Sequence, residues 1–141
     1  MSAEFSDSGI SFQYPDDWRL EREELSNGWS VTVQSPGTAF FLLCLREDNP
    51  DSSDLAEQAL DDMAEVYPDL ESELGMSRIA GRNATGHDIR FFSFDLTNSC
   101  WTRSFNTPAG TILVMTQVND LEMSDFEPDL RRICASVRVE E

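Results

Sequence analysis

The sequence predicts an α+β protein built mainly on an antiparallel sheet of about six or more strands, with helices packed against it. Three observations lead there. Short segments alternate apolar and polar residues with the period of two that a half-buried strand requires. Turn signals at Pro15-Asp16-Asp17, Asn27-Gly28, Ser35-Pro36-Gly37 and Pro108-Ala109-Gly110 punctuate them. Only two stretches switch to helical spacing, one running from Asp54 to Tyr67 and one from Asp125 to Val137.

Along the chain, Ile10, Phe12 and Tyr14 fall on one side of a first strand, with Ser11 and Gln13 on the other. Pro15 ends it, and alternation resumes with Trp18 and Leu20 against Arg19 and Glu21. The pattern predicts a hairpin in which Asp16 and Asp17 serve the turn and Trp18 reaches the core. After Asn27-Gly28, Trp29, Val31 and Val33 alternate with Ser30, Thr32 and Gln34 in a third strand. The run Ala39 to Leu45 is apolar on both faces, which places it mid-sheet with cover on each side. Residues 47–54 read as a loop, with Asp54 and Glu57 resembling a capping box. Ala56, Ala59, Leu60, Met63 and Tyr67 then form the apolar face of a helix, with Glu57, Asp61, Asp62 and Glu65 opposite.

Pro68 interrupts that helix, and Leu70 and Leu74 are assigned to a further short helical turn stopped by Gly75. A short strand at Met76–Ile79, a turn at Ala80–Asn83 and a long strand at His87–Thr97 follow. Thr97-Asn98-Ser99 is expected to turn into Trp101–Asn106, and Pro108-Ala109-Gly110 into Ile112–Val118. The last helix offers Phe126, Leu130, Ile133, Cys134 and Val137 to the core, with Pro128 in its first turn. No repeat or linker is evident, so residues 1–141 read as a single domain.

Charge is the strongest compositional signal. Against 27 acids stand ten arginines and no lysine, a formal net charge of −17. That field repels phosphate backbones and anionic lipid, so neither nucleic acid nor a membrane surface is an expected partner. It suits another protein of basic character, and it suits solubility in salty surroundings equally well. Three cysteines, Cys44, Cys100 and Cys134, are an odd number without CxxC spacing, which argues for buried thiols and against a disulfide framework or a structural zinc site. No apolar run approaches the ~20 residues of a membrane span, and the opening residues lack the features of a signal peptide. A cytoplasmic location is expected.

Many mechanisms lack their side chains. Without lysine there is no Schiff base and no Walker-type loop. Neither GxGxxG nor GxSxG occurs. His87 is the only histidine, too few for an ordinary catalytic zinc site. Asp88 and Asp95, within an otherwise apolar strand, fall on opposite sides and cannot cooperate as a two-acid pair. Residues 47–58 make a poor calcium loop, with proline at a ligand position and Gln58 where a bidentate Glu belongs. No catalytic residue, cofactor or metal is assigned.

Certain phrases carry a family resemblance: Gly9-Ile10-Ser11-Phe12 leading to Tyr14-Pro15 and Trp18, Trp29-Ser30-Val31-Thr32-Val33, Ile79-Ala80-Gly81-Arg82-Asn83-Ala84, and the closing pattern Phe126, Leu130, Ile133, Ser136, Val137. In these the chain resembles the PsbP-like superfamily, which includes the extrinsic PsbP protein of photosystem II, the Mog-type Ran-binding factor and small bacterial domains, among them Eag-type chaperones of type VI secretion. The resemblance implies an antiparallel sheet sandwiched by helices, α/β/α, and a non-enzymatic protein whose surface binds another protein. It supplies no catalytic set, and no segment matches the Ran-binding surface.

The expected function is therefore that of a soluble protein-binding, chaperone-like or adaptor module. The acidic helix face of Asp61, Asp62 and Glu65, with Asp69 nearby, is the candidate surface. A contrasting expectation is a small-ligand or hydrolytic site, with Trp29, Trp101, Phe91 and Phe105 lining a pocket near His87.

Overall fold

In a computed structural model that describes residues 2–140, the chain forms a seven-stranded antiparallel sheet, a three-stranded sheet and two helices. The elements are β1 (Ser2–Asp7), β2 (Ile10–Pro15), β3 (Arg19–Leu25), β4 (Gly28–Gln34), β5 (Phe40–Arg46), α1 (Ser52–Val66), β6 (Glu71–Ile79), β7 (Arg82–Ser93), β8 (Leu96–Thr107), β9 (Gly110–Asn119), α2 (Met123–Ser136) and β10 (Arg138–Val139). The large sheet runs β3-β4-β5-β9-β8-β7-β6, and the small one runs β1-β2-β10. The α+β class and the antiparallel sheet follow the sequence expectation.

One face of the large sheet is closed by the small sheet and α2. Here the inward residues of β4 and β5, Val31, Val33, Phe41, Leu43 and Leu45, meet Phe5, Ile10 and Phe12 from the small sheet and Leu130 and Ile133 from α2, all buried. Phe12 is the hinge of this packing: its ring lies 5.2 Å from Phe5 in its own sheet and 5.0 Å from Phe41 in the other. Ser136 locks α2 to the same sheet, its hydroxyl accepting from the Gln13 amide at 2.8 Å.

The other face carries only α1. Its Leu60, Met63 and Tyr67 pack with Met115 on Ile89, Phe91 and Cys100, and Tyr67 stacks on Phe91 with centroids 4.1 Å apart. The sandwich is thus looser than the α/β/α expectation. On β5, Phe41, Leu43 and Leu45 are buried, whereas Phe40, Leu42 and Cys44 on the α1 side stay half-buried.

Several local expectations are corrected. Residues 15–18 do turn, the Trp18 amide donating to the Pro15 carbonyl at 3.0 Å, but β2 and β3 do not pair. The turn instead carries the chain from the small sheet to the large one, and the tetrapeptide looks the same in either role. Ser2–Asp7, not foreseen as a strand, pairs with β2. Asp51, not Asp54, caps α1, its carboxylate accepting from the Ser53 and Asp54 amides at 2.9 and 3.2 Å. Leu74 and Gly75 belong to β6, not to a helical turn: pairing with β7 along nine residues overrides the local leucine spacing. The β7–β8 hairpin turns at Phe94-Asp95, not at Thr97-Asn98-Ser99. Both residues sit at positive φ, 52° and 60°, without glycine to announce it. Asp95 therefore lies in a turn rather than on a strand face. Pro128 falls in the second turn of α2, because the helix begins at Met123.

Replacing Phe12 with alanine should destabilise the protein by about 3–5 kcal/mol, read as a lowered urea midpoint with an unchanged slope. A loss below about 1 kcal/mol would mean that the two sheets are not joined through this ring.

Candidate functional site

Strand register decides which polar side chains meet. On the α2 side of the large sheet, Asp88 of β7 stands beside Trp101 of β8 and Glu73 of β6, with Arg103 one pair along beside Gly86. The Arg103 guanidinium donates from Nη2 to Asp88 Oδ1 at 2.7 Å, from Nε to Ser77 Oγ at 2.9 Å, and from Nη1 to the Thr102 and His87 carbonyls at 2.8 and 3.3 Å. Gly75 is what lets it lie there, since a Cβ at that position would come within 2.4 Å of Nη2. Between this group and α2 opens a cleft of about 420 Å³, floored by Trp101, Val114 and Leu130, with Cys134 in its wall. At its rim Arg131 pairs with Glu127 one helical turn away, at 2.6 Å. Four charged groups of the cleft are thus paired, Asp88 with Arg103 and Glu127 with Arg131, while Arg78 donates to Asn83 Oδ1 and the Gly81 carbonyl.

The thiols are held in their protonated form. Burial pushes Cys100 up to about 12. Burial also raises Cys134 to about 11, outweighing the opposing pull of Arg103 and Arg131. Cys44 moves up as well, from burial first, with Arg46 pulling it down and Asp48 adding to the rise. Each shift disfavours the thiolate at neutral pH.

His87 is buried on the α1 side, its Nε2 3.3 Å from Glu57 Oε1 and its amide donating to Thr102 Oγ1 at 3.1 Å. Nδ1 has no partner. The imidazole faces a carboxylate yet lines neither of the two clefts described by the surface, the second being a shallow one over Glu73, Asp88 and Arg90. Of the aromatic residues expected around a pocket near it, Trp29, Phe91 and Phe105 are consumed in the cores, and only Trp101 borders a cleft, on the opposite side of the sheet. Among the described residues no group of three or more His, Cys, Asp or Glu side chains is gathered to hold a metal ion.

Asp61, Asp62 and Glu65 are exposed on α1, and Asp69 is exposed in the turn before β6. Helical spacing spreads the three: Glu57 points along the sheet at His87, Asp61 stands further outward, Glu65 faces solvent and Asp62 lies on the far flank. None of Asp61, Asp62, Glu65 or Asp69 joins an ion pair among the described residues.

A feature that sequence reading missed adjoins them. Leu74 and Met76, 76% and 75% exposed, stand side by side on the α1 side of edge strand β6. Val66 at the end of α1, Phe92 on β7 and Phe94 at the β7–β8 turn are exposed too. Leu74 and Met76 alone stand together, as an exposed apolar pair at the β6–β7 corner; Phe92 faces the opposite, α2 side of the sheet, and Val66, next to the Tyr67 that stacks on Phe91, and Phe94 lie toward the β7–β8 turn. The alternation of Leu74 and Met76 about Gly75 was the signal that could have found it.

No protein-family model and no curated protein matches the sequence. Solved structures match the fold. A Bacteroides thetaiotaomicron protein superposes with a TM-score of 0.66 at 14% identity over 98% of this chain, which spans about half, 48%, of that protein's length. Cyanobacterial PsbP from Synechocystis sp. PCC 6803 gives 0.64 at 10% identity, covering 99% of this chain and 92% of that one. LpqN of Mycobacterium tuberculosis, involved in cell envelope biogenesis, gives 0.57 at 14% identity with the same coverage, 99% and 92%. At such identities the likeness establishes the fold: the chain is PsbP-like in architecture. No helix among the described residues is long and apolar enough to cross a membrane.

With its thiols protonated and packed away, the native protein at pH 8 should react with a thiol-disulfide reagent far more slowly than the unfolded chain, with Cys100 slowest. Rapid native-state labelling of Cys100, mapped by mass spectrometry, would contradict this account of its surroundings.

Proposed function

We propose that the protein is a non-enzymatic binding module, an adaptor or chaperone-like domain, whose β6–β7 corner engages another protein of basic character. The observation that carries this reading is the pair of exposed large apolar side chains on the open edge strand there, Leu74 and Met76, adjacent on one face of β6. Exposed leucines and phenylalanines scattered singly are ordinary, whereas clustered ones mark contact surfaces. Asp61, Asp62 and Glu65 on α1 and Asp69 before β6 add exposed carboxylates that join no ion pair among the described residues. An apolar centre with a charged rim is the usual anatomy of a protein interface.

Two further points support binding over catalysis. Both carboxylates of the α2 cleft are paired with arginines, and burial disfavours ionisation of the thiols. The net charge of −17 steers a basic partner toward the protein and leaves nucleic acid and anionic membranes as poor partners. Three free cysteines suit a reducing compartment, so the cytoplasm is the proposed location.

The test compares wild type with Leu74→Ser/Met76→Ser and with Asp61→Arg/Glu65→Arg in capture from a native-host lysate, each variant first shown to keep its urea midpoint. The apolar pair should lose the captured protein at every salt concentration. The charge reversal should weaken capture by roughly tenfold at low ionic strength and little near 1 M, where screening acts within about 3 Å. Identical capture by all three proteins would overturn the reading.

A further inference from the structure

We propose that the partner contributes an extended segment that adds to β6 as an eighth strand of the large sheet, with apolar residues beside Leu74 and Met76 alternating with basic residues beside Glu71 and Glu73. This rests on the protein-binding role of the β6–β7 corner and names the kind of partner that fits it.

The large sheet has two edges, β3 and β6. They are treated differently by the sequence. On β3, Arg19, Glu21, Arg22, Glu23 and Glu24 occupy five of seven positions, the dense edge charge that blocks pairing with a further strand. On β6 the centre is Leu74-Gly75-Met76, with no charge, inside a strand of nine residues. Its inner side pairs with β7, and among the described residues no other element hydrogen-bonds to its backbone. A row of free amides and carbonyls is therefore open along a strand whose side chains already favour apolar company. Backbone pairing supplies affinity at such an edge, and alternate side chains supply the choice of partner.

The two faces of β6 set the pattern of the incoming strand. Leu74 and Met76 lie on the α1 side, in register with His87 and Thr85. A neighbour's apolar residues on that side would cover them, cross-strand apolar pairs being the unit of sheet stabilisation. On the other side Glu73 stands directly beside Asp88 in β7, and the Asp88 carboxylate is turned to Arg103. Two like charges opposite one another are unfavourable, and Glu73 has no cation within ion-pair distance among the described residues. A basic side chain on an added strand relieves that repulsion. Glu71 lies one step along the same face, opposite Arg90 of β7, and leaves its outer flank to the added strand as Glu73 does.

A second copy of this chain does not meet the requirement. Two β6 strands paired antiparallel about Gly75 would set Glu73 against Ser77 and Glu71 against Ile79, offering no cation, and would bring together two chains of −17 each. The occupant is a basic, alternating segment of a different protein.

The experiment uses labelled nine-residue peptides and the full chain. One alternates Arg and Val; one has the same composition in two blocks; two are alternating peptides N-methylated on the odd or the even residues. Fluorescence anisotropy should show the alternating peptide binding at least tenfold more tightly than the block peptide. One N-methylated version should bind like the parent and the other should not, because only one edge of the added strand faces β6. Amide resonances of residues 71–79 should shift and gain protection from exchange. Glu73→Gln should weaken binding, and Leu74→Ser/Met76→Ser should abolish it. Equal binding of alternating and block peptides, indifference to both N-methylations, or shifts confined to other elements would overturn strand addition. Lysate capture that depends on Leu74 and Met76 alongside such a result would leave the binding role standing and remove only the strand geometry.

Discussion

Seven antiparallel strands about 4.8 Å apart make a sheet roughly 29 Å wide, while a helix with its side chains is only about 10–12 Å across. One helix therefore covers two or three strands and no more. On one face the chain meets the shortfall with a second sheet and α2 together, joined through Phe12 and Phe41. On the other face it supplies α1 alone, over β7, β8 and β9. Everything distinctive about the surface follows from that inequality: the half-buried Phe40, Leu42 and Cys44 on β5, and the bare Leu74 and Met76 on β6.

The polar interior is organised around Arg103. Its guanidinium ties β6, β7 and β8 together through Ser77, Asp88 and two main-chain carbonyls, and Gly75 gives it room. A charge so fully occupied rigidifies the end of the sheet that carries the exposed apolar corner. It also turns the Asp88 carboxylate toward Arg103, which leaves the neighbouring Glu73 with no cation of its own within ion-pair distance among the described residues. The same network that holds the sheet thus shapes the electrostatics of its open edge.

Acidity enters at two ranges. Across the whole molecule it is a field that draws basic molecules in and keeps copies of the chain apart. At the open edge it becomes local, because Glu71 and Glu73 share β6 with the exposed Leu74 and Met76. In the proposed complex the partner would gain both apolar burial and charge pairing, and neither alone would distinguish it from other basic proteins.

How much of this was written in the sequence depends on the range of the interaction. Period-two alternation identified β2, β3, β4, β8 and β9 and the apolar run of β5, because strand burial is read from a few consecutive residues. The two helices were legible for the same reason, and the PsbP-like phrasing supplied the architecture. What tertiary structure decided was pairing. The turn at Pro15-Asp16-Asp17-Trp18 could join two strands of one sheet or pass between two sheets, and only the packing of Phe12 on Phe41 settles which. Leu70 and Leu74 carry helical spacing, but nine residues of ladder with β7 made the latter part of a strand. The β7–β8 turn hid in Phe94-Asp95, whose positive φ is imposed by the register of the two strands, not by their own preference. The acids of α1 could be named from the sequence alone, while the open strand beside them could not, since an edge exists only once the order of all seven strands is known.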